Sequence, residues 1–430
     1  KMSKSGKHIK NIEYPYSTKW DKRNDVVTFD LDDSNYTLMN TIRRTIISGV
    51  RTVGFRSEPY EKCDIKIFQN DTPLHNQIMT HRIAMIPINI PNFSKINIDD
   101  FEFIIDVDNN TNFTKDITSK DFKVRIISDD KFLSEQETNK IFPPDPISGD
   151  YVLITRLKPK YYAFSNVKDT HLSTSLRNEL TNNNSENMRF YMKAKASISS
   201  GFENGHYNPT TCAAYQNRVD PDRVEKEKAD FIESQKEFHI ANNLTVPSID
   251  SLERKFMTSQ YKRCFYTNEE GEPYRFTWKI ESIGVIPPLI TFHRSLDILK
   301  DKLDIFRTNM IQGNTNAINI SPSSELENAF DVLILNENET LGNLLQTYIT
   351  KLYGDYSDVN RKVNYIGCNR PHPSEESILI VIQPTEKMDW ERIIDTIIMP
   401  TCAYISKEFD GLMKELDHIP QYVSEIKKIK

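Results

Sequence analysis

The sequence predicts an α+β protein. Two related strand–turn–helix modules, one early and one late in the chain, fold onto each other as an intramolecular pseudo-dimer, and a mainly-β domain is inserted into the first. Three observations predict it. A strand, an acidic turn and an amphipathic helix occur in that order at residues 26–50 and again at residues 330–353. The two helices align without a gap at a constant offset of 303 positions. Between them, residues 95–215 carry short strands separated by loops rich in Asn, Asp and Ser, the pattern of a β-rich domain.

Taken in order, residues 1–22 read as a mobile arm; KMSKSGKHIK is basic and lacks the apolar stretch of a secretory leader. VVTFDL at 26–31 has strand character. In TLMNTIRRTIISGV, Leu38, Ile42, Ile46 and Val50 fall four apart and share one helix face. Ser34 or Asn35 would cap its start, and Gly49 lies near its end. Residues 64–68 and 83–90 read as further extended segments. FEFIIDV, FKVRII and YVLITRL are strands of the insert, and residues 178–188 an exposed loop. Residues 219–237 are dense in charges of both signs and fit a solvated helix. RFTWKIESIGV at 275–285 returns to strand character. From Thr291 to Phe306 the pattern is an amphipathic helix, with Leu296, Leu299, Leu303 and Phe306 on one face. The polar stretch 307–324 reads as a linker.

In the last module FDVLIL, RKVNYIG and SILIVIQ are strands and TLGNLLQTYITKLY is a helix. From Asp389 to Leu416, Trp390, Ile393, Ile394, Ile397, Tyr404, Ile405, Phe409, Leu412 and Leu416 keep a helical period. Pro400 should kink or split that helix, because it has no N–H and its ring crowds the preceding turn.

Within the repeat, Asn35 matches Asn338, Thr37 matches Thr340, Leu38 matches Leu341, Asn40 matches Asn343 and Ile46 matches Ile349. The identities are few, but the shared strand and turn before each copy point to duplication. Such a unit cannot bury its helix face alone. Packing the copies about a pseudo-two-fold axis would solve that. Leu38, Ile42, Ile46, Leu296, Leu299, Leu303, Leu341, Leu345, Tyr348, Ile394, Ile397, Ile405 and Leu412 are the expected dimerisation residues. The copies differ where Arg43 and Arg44 become Gln346 and Thr347. Arginines needed only for the fold would be needed twice, so the pair is expected to bind an acidic patch on a partner; the alternative is a solvated helix face.

Composition narrows the function. With 55 basic and 61 acidic residues the net charge is −6, which argues against a protein whose main work is gripping nucleic acid. No apolar run reaches membrane-spanning length. Cys63, Cys212, Cys264, Cys368 and Cys402 are scattered, which suggests reduced, mostly buried thiols; a metal site assembled only in space is the alternative. No phosphate-cradling glycine loop is present. His81, His206 and His372 are the histidines to inspect; none is expected to do acid–base chemistry, and His206 and His372 look like rigid loop anchors.

TLMNTIRRTIISGVRTVGF followed by NDTPLHNQIMTHRIAMIPI resembles the alpha-like RNA polymerase subunits: the bacterial alpha subunit, the archaeal D subunit and the third-largest subunit of eukaryotic RNA polymerase II. In that family an Asn-x-x-Arg-Arg helix precedes a His-Arg-x-x-x-x-Pro segment, and Asn40, Arg43, Arg44, His81, Arg82 and Pro87 fit those positions. KAKASISSGFENGHYNP resembles the family's loop in the inserted domain, which places Gly201, His206 and Pro209. FTWKIESIGVIPPLITFHRSLDIL resembles the strand and helix that re-enter the dimerisation domain. ENETLGNLLQTYI and NYIGCNRPHPSEESILIVIQ are similar to the small partner, the archaeal L or eleventh-largest eukaryotic subunit, through Asn338, Thr340, Leu341, Gly342, Asn343, Leu344, His372 and Pro373. Both halves in one chain resemble the fused subunits of large cytoplasmic DNA viruses. Residues 88–110 lack the cysteines that hold zinc in many eukaryotic relatives, so no metal is carried over. Residues 107–150 match loosely.

The resemblance implies a first dimerisation domain of residues 23–92 and 266–306, an insert of 93–265, a linker of 307–324 and a second dimerisation domain of 325–430. It implies a non-catalytic assembly platform for a DNA-directed RNA polymerase, with no cofactor of its own and magnesium in the largest catalytic subunit. Asn40, Arg43, Arg44, His81, Arg82, Gly201, His206 and Pro209 would meet partners: the largest and second-largest subunits and small zinc-bearing ones. DNA and RNA would be touched only indirectly, and no membrane or homodimer is expected. The expected location is intracellular; for a viral chain, virion and host cytoplasm, with the nucleus left open. The rival reading is a stand-alone scaffold of the same fold, which would not co-purify with two very large subunits. A small-molecule enzyme or a nucleic-acid binder would need a titratable pocket or a basic face.

Overall fold

The structure is a computed structural model that describes residues 8–15, 25–111, 113–159, 188–354 and 361–429. The first elements are β1 (Ile9–Glu13), β2 (Val26–Leu31), α1 (Tyr36–Ser48), β3 (Arg51–Gly54), β4 (Ile65–Asn70) and α2 (Asn76–Ala84). Next come β5 (Phe101–Asn109), β6 (Lys115–Thr118), β7 (Phe122–Ile126), β8 (Lys131–Phe132), α3 (Glu135–Ile141), β9 (Leu153–Leu157), β10 (Met188–Ala194) and β11 (Ser197–Ser200). β12 (Thr210–Asn217), α4 (Pro221–Ala241), α5 (Ile249–Ser259), β13 (Phe276–Ser282), α6 (Pro288–Gln312), β14 (Ile318–Pro322) and β15 (Phe330–Leu335) follow. The last are α7 (Glu339–Tyr353), β16 (Val363–Asn369), β17 (Ser377–Pro384), α8 (Trp390–Ile393), α9 (Met399–Asp417) and α10 (Pro420–Ile429).

Two compact units divide the chain. The first comprises Lys1–Gly49, Thr210–Glu281 and Pro287–Lys427; the second comprises Val50–Pro209, Ser282–Ile286 and Lys428–Lys430. The first unit contains two four-stranded sheets, β1-β2-β13-β12 and β14-β15-β17-β16. Its long helices pack on one another: α1 on α6 and α7, and α9 on α6 and α7. Both repeat helices start at the equivalent position with the same residue type. The Asn35 side chain accepts the Leu38 N–H at 2.8 Å, and the Asn338 side chain accepts the Thr340 N–H at 3.0 Å. Each satisfies an amide that has no partner inside its helix.

The second unit is built on the sheet β4-β10-β5-β7-β8, with the pairs β11-β3 and β6-β9. Its core clusters Phe55, Phe103, Phe122 and Phe142 with the inward residues of β5 and β10. Phe122 stacks nearly parallel on Phe142, with centroids 4.3 Å apart.

The structure corrects four expectations. The arm includes a strand: β1 pairs antiparallel with β2, joining Ile9 to Leu31 and Lys10 to Asp30. The stretch 307–324 is mostly ordered, because Met310 continues the apolar face of α6 and Ile318 is buried in β14. The helix stops where Gly313 takes a left-handed conformation, φ 58°, which glycine adopts without steric cost. Residues 83–90 form no strand. Ile83 and Ala84 close α2, and Ile86, Ile88 and Ile90 are buried in the second unit without a ladder. Lastly, residues 50–92, expected in the first dimerisation domain, fall in the second unit, and residues 210–265, expected in the insert, fall in the first, because β3 pairs with β11 and β4 with β10, whereas β12 joins the sheet of β13. The predicted loop 178–188 lies outside the described residues except Met188, the first residue of β10.

Candidate partner interface

The side chains expected at the seam are buried with one exception. Ile42, Ile46, Leu296, Leu303, Tyr348, Ile397 and Ile405 have no exposed surface, and Leu38, Leu299, Leu341, Leu345 and Leu412 are also buried. Ile394 is only half-buried. The reason is a π-helical turn, Ile394–Ile398, between α8 and α9. Pro400 cannot donate to the turn behind it, and the wide turn shifts the apolar phase so that Ile393, Ile398 and Cys402 face inward. Burial pushes the Cys402 thiol up to about 12, so it packs as an apolar group.

Polar contacts cross the same seam. Thr37 Oγ1 and Thr347 Oγ1 share a hydrogen bond of 3.0 Å. The Tyr348 hydroxyl donates to the Glu408 carboxylate on α9 and accepts from Asn35 Nδ2 at 3.4 Å. One buried phenol thus touches the cap of α1, α7 and α9. Burial and then the charge of Glu408 hold its pKa far above the ordinary phenol value, so it stays a donor.

Asn40, Arg43 and Arg44 lie together on α1. Asn40 Oδ1 accepts from Arg43 Nε at 3.1 Å and from Nη2 at 2.9 Å. The Arg43 charge also bears on Tyr215 of β12, opposing the rise that burial gives that phenol. Arg44 reaches Glu339, at the start of α7, at 3.8 Å. Arg370 approaches the other oxygen of Glu339, also at 3.8 Å. These separations are long for a charge-assisted hydrogen bond, and the Arg44 side chain is 42% exposed. Glu339 and Arg370 went unseen in the sequence because nothing local ties them to Arg44.

The other expected partner residues belong to the second unit. His81 Nε2 is 3.0 Å from Glu58 Oε1, and both side chains are exposed. Arg82 has a structural occupation: its guanidinium donates to the carbonyls of Ile154 at 2.8 Å and Leu153 at 3.2 Å, which ties α2 to β9. Gly201 lies in the turn after β11. His206 sits on a short 3-10 turn, Gly205–Tyr207, capped by Asn204. Its Nε2 is buried without a hydrogen-bond partner, and desolvation followed by the nearby Arg56 lowers its pKa, against the pull of Glu203. Pro209 is buried and its carbonyl accepts the Ile283 N–H at 3.1 Å. The turn is moulded onto β3: a side chain at Gly54 would come within 2.9 Å of the Tyr207 ring.

Beside it runs a network that the sequence did not announce. Arg56 Nε donates to Glu203 at 2.6 Å, Ser197 Oγ donates to Asp64 at 2.6 Å, and the Arg56 N–H donates to Asp64 at 2.8 Å. Arg56 and Asp64 meet locally, and the pairing of β3 with β11 brings Ser197 and Glu203 to them. Among the described residues no cluster of His, Cys, Asp and Glu could hold a metal ion, and no helix is long and apolar enough to cross a membrane.

Residues 28–303 match the family described as the RNA polymerase Rpb3/Rpb11 dimerisation domain; the late module lies beyond that stretch. The chain is 20% identical over 328 residues to a conjugation stage-specific protein of Tetrahymena thermophila, which covers 67% of this chain and 92% of that protein. It is 33% identical over 70 residues to DNA-directed RNA polymerase subunit Rpo3 of Pyrococcus horikoshii, and 26% identical over 73 residues to that of Methanopyrus kandleri. These alignments cover 16% and 17% of this chain, and the chain spans 24% of the length of each archaeal relative.

Proposed function

This chain belongs to the RNA polymerase Rpb3/Rpb11 dimerisation-domain family, and from that premise we propose that it is a non-catalytic assembly platform of a multisubunit DNA-directed RNA polymerase, with both dimerisation modules in one polypeptide. One observation carries the reading. The repeat offset maps Thr37 onto Thr340 and Thr347 onto Arg44. Under a two-fold relation, contact of position 37 with 347 implies contact of 44 with 340 or its neighbour. Thr37 meets Thr347 at 3.0 Å, and Arg44 approaches Glu339 at 3.8 Å. This exchange of contacts supports isologous packing of α1 on α7. An obligate seam of that kind typically exceeds about 2,000 Å², and joining the modules covalently raises their effective concentration to the order of millimolar.

The joint surface would then hold larger neighbours. Arg43, oriented by Asn40, and Arg44 supply guanidinium forks for an acidic patch of the second-largest subunit. His81 and the loop of Gly201 and His206, in the second unit, would meet small zinc-bearing subunits, with Pro209 buried behind that loop. Catalysis and magnesium belong to the largest subunits. The test is mass spectrometry of what co-elutes with the tagged chain, with and without Arg43→Glu and Arg44→Glu. The double variant should melt like the parent and lose the second-largest subunit. Unchanged assembly retires the role of the arginines; absence of any large catalytic subunit retires the polymerase reading in favour of a stand-alone scaffold. That rival keeps one observation of its own, since the relative that aligns over most of this chain is named for conjugation and not for a polymerase.

A further inference from the structure

Helix α6 begins with two prolines, Pro287 as cap and Pro288 as first residue, and no cap side chain of its own satisfies its first turn. Its leading amides are met from far along the chain. Glu425 of α10, 2% exposed, accepts the Leu289 N–H at 3.1 Å and the Ile290 N–H at 3.2 Å through Oε2. A carboxylate at the positive end of a helix dipole is favourably placed, and more so when water is excluded. Its other oxygen accepts the Tyr14 hydroxyl at 2.8 Å. Tyr14 directly follows β1, whose start is held by a second carboxylate: the His8 and Ile9 N–H groups donate to Glu415 of α9 at 2.8 and 3.1 Å. Around the first carboxylate, Tyr422 stacks on His293 of α6 with centroids 5.4 Å apart.

We propose that α10 is a latch and residues 8–15 are its strap: docking of Glu425 on the first turn of α6 orders the strap, so opening the latch releases the strap. The geometry supplies the coupling. One buried carboxylate serves both the helix start and Tyr14, so it cannot leave the helix without releasing the phenol. Opening would also strip β1 from β2, turning β2 into the edge of its sheet with unpaired backbone groups. The strap can leave alone, however, because removing Tyr14 still leaves the carboxylate on Leu289 and Ile290.

Amide hydrogen exchange on the full chain, read by mass spectrometry, tests this order of events. Glu425→Ala should accelerate exchange at Leu289 and Ile290 and at residues 9–13 together, each by about tenfold or more. Glu425→Gln keeps the shape and one acceptor oxygen, and should show the same paired change at a few-fold, so the test survives if the alanine variant folds poorly. Tyr14→Phe should accelerate residues 9–13 and leave Leu289 and Ile290 protected. Two results overturn the latch: exchange at the start of α6 that rises with β1 unchanged in both Glu425 variants, or a start of α6 that opens as far in Tyr14→Phe as in Glu425→Ala.

Discussion

Replacing Tyr348 by Phe removes one oxygen from the point where α1, α7 and α9 meet, and its cost follows from what that oxygen touches. The ring has no exposed surface, so the benzene ring of Phe refills nearly all the space. The hydroxyl donates to the Glu408 carboxylate, and hydrogen bonds to charged groups contribute about 1.5–3 kcal/mol. Glu408 is only half-buried and regains water when its donor goes, which draws the cost to the lower end. The contact from Asn35, at 3.4 Å, adds little, and Asn35 still caps α1 through its other atom. The expected loss is about 1.5–2 kcal/mol, or about 3–8 °C in Tm for a large domain. Urea and thermal unfolding followed by tryptophan fluorescence would measure it, alongside Glu408→Gln and the double variant. On the Glu408→Gln background the Tyr348 change should cost less than about 1 kcal/mol, because a charge-assisted bond has become a neutral one. The phenol stays protonated across the neutral range, so the cost should be flat between about pH 6 and 9. A Tyr348→Phe variant within about 0.5 kcal/mol of the parent, with no coupling to Glu408, would refute this account of the seam.

Leu345→Ala should cost about 3–4 kcal/mol, since Phe306 and Met310 of α6, Val332 of β15, Ile380 of β17 and Ile398 of the π turn surround the site and cannot collapse together; Lys351→Ala, exposed on the same helix, should change Tm little. Gly342→Ala pushes a methyl group into Cys368 Sγ and within 3.0 Å of Ile378 Cδ1. The overpacking of about 1–3 kcal/mol outweighs a helix-propensity gain of about 1 kcal/mol, and Cys368→Ala in the same chain should recover most of the loss by calorimetry. His206 has a folded pKa below its unfolded value. It therefore adds little to the pH dependence once the pH is well above about 6.5. As pH falls below that value the unfolded chain takes up the proton first and stability drops, until the folded value is passed. His206→Phe should flatten this limb in melts between about pH 5 and 7.5, and an unchanged slope would assign it to other groups.

What could be read from the sequence was whatever is encoded at short range. The repeat offset matched Asn35 to Asn338, which the structure shows to be the caps of α1 and α7, and apolar spacing picked out the buried faces of α1, α6 and α7. Period alone failed at Ile394, because a π turn adds a residue to the cycle without a mark beyond Pro400. The expected domain bounds differ from the two units for another reason. β4 pairs with β10 more than a hundred residues away, and ladder partners leave no trace in local composition. The strap was hidden likewise: Ile9 is buried under contacts to Glu415 and Leu31 that the polar stretch around it does not advertise. Arg56, Glu203 and Asp64 are ordinary surface types singly and become a network only when β3 meets β11.

Where the two repeat copies diverge, their surroundings diverge in the same sense. Thr347 is short enough to meet Thr37 hydroxyl to hydroxyl across the seam. Its counterpart Arg44 is too long for such a contact and extends past the equivalent of that site to Glu339. There a single carboxylate faces two guanidiniums, from Arg44 and Arg370. Each guanidinium carries five N–H donors, so one carboxylate cannot saturate the pair, and the position remains cationic. Gln346 and Thr347 place no such charge on the opposite copy. Two identical arginine-bearing modules would present two equal faces, whereas this chain presents one. On the proposed reading it can grip a single large neighbour by arginine forks and must hold the other by different chemistry. On the same reading, a platform whose halves are fused would need symmetry only in the seam and not in its outer surface, and the preserved caps and apolar stripe beside the altered arginines fit that division of labour.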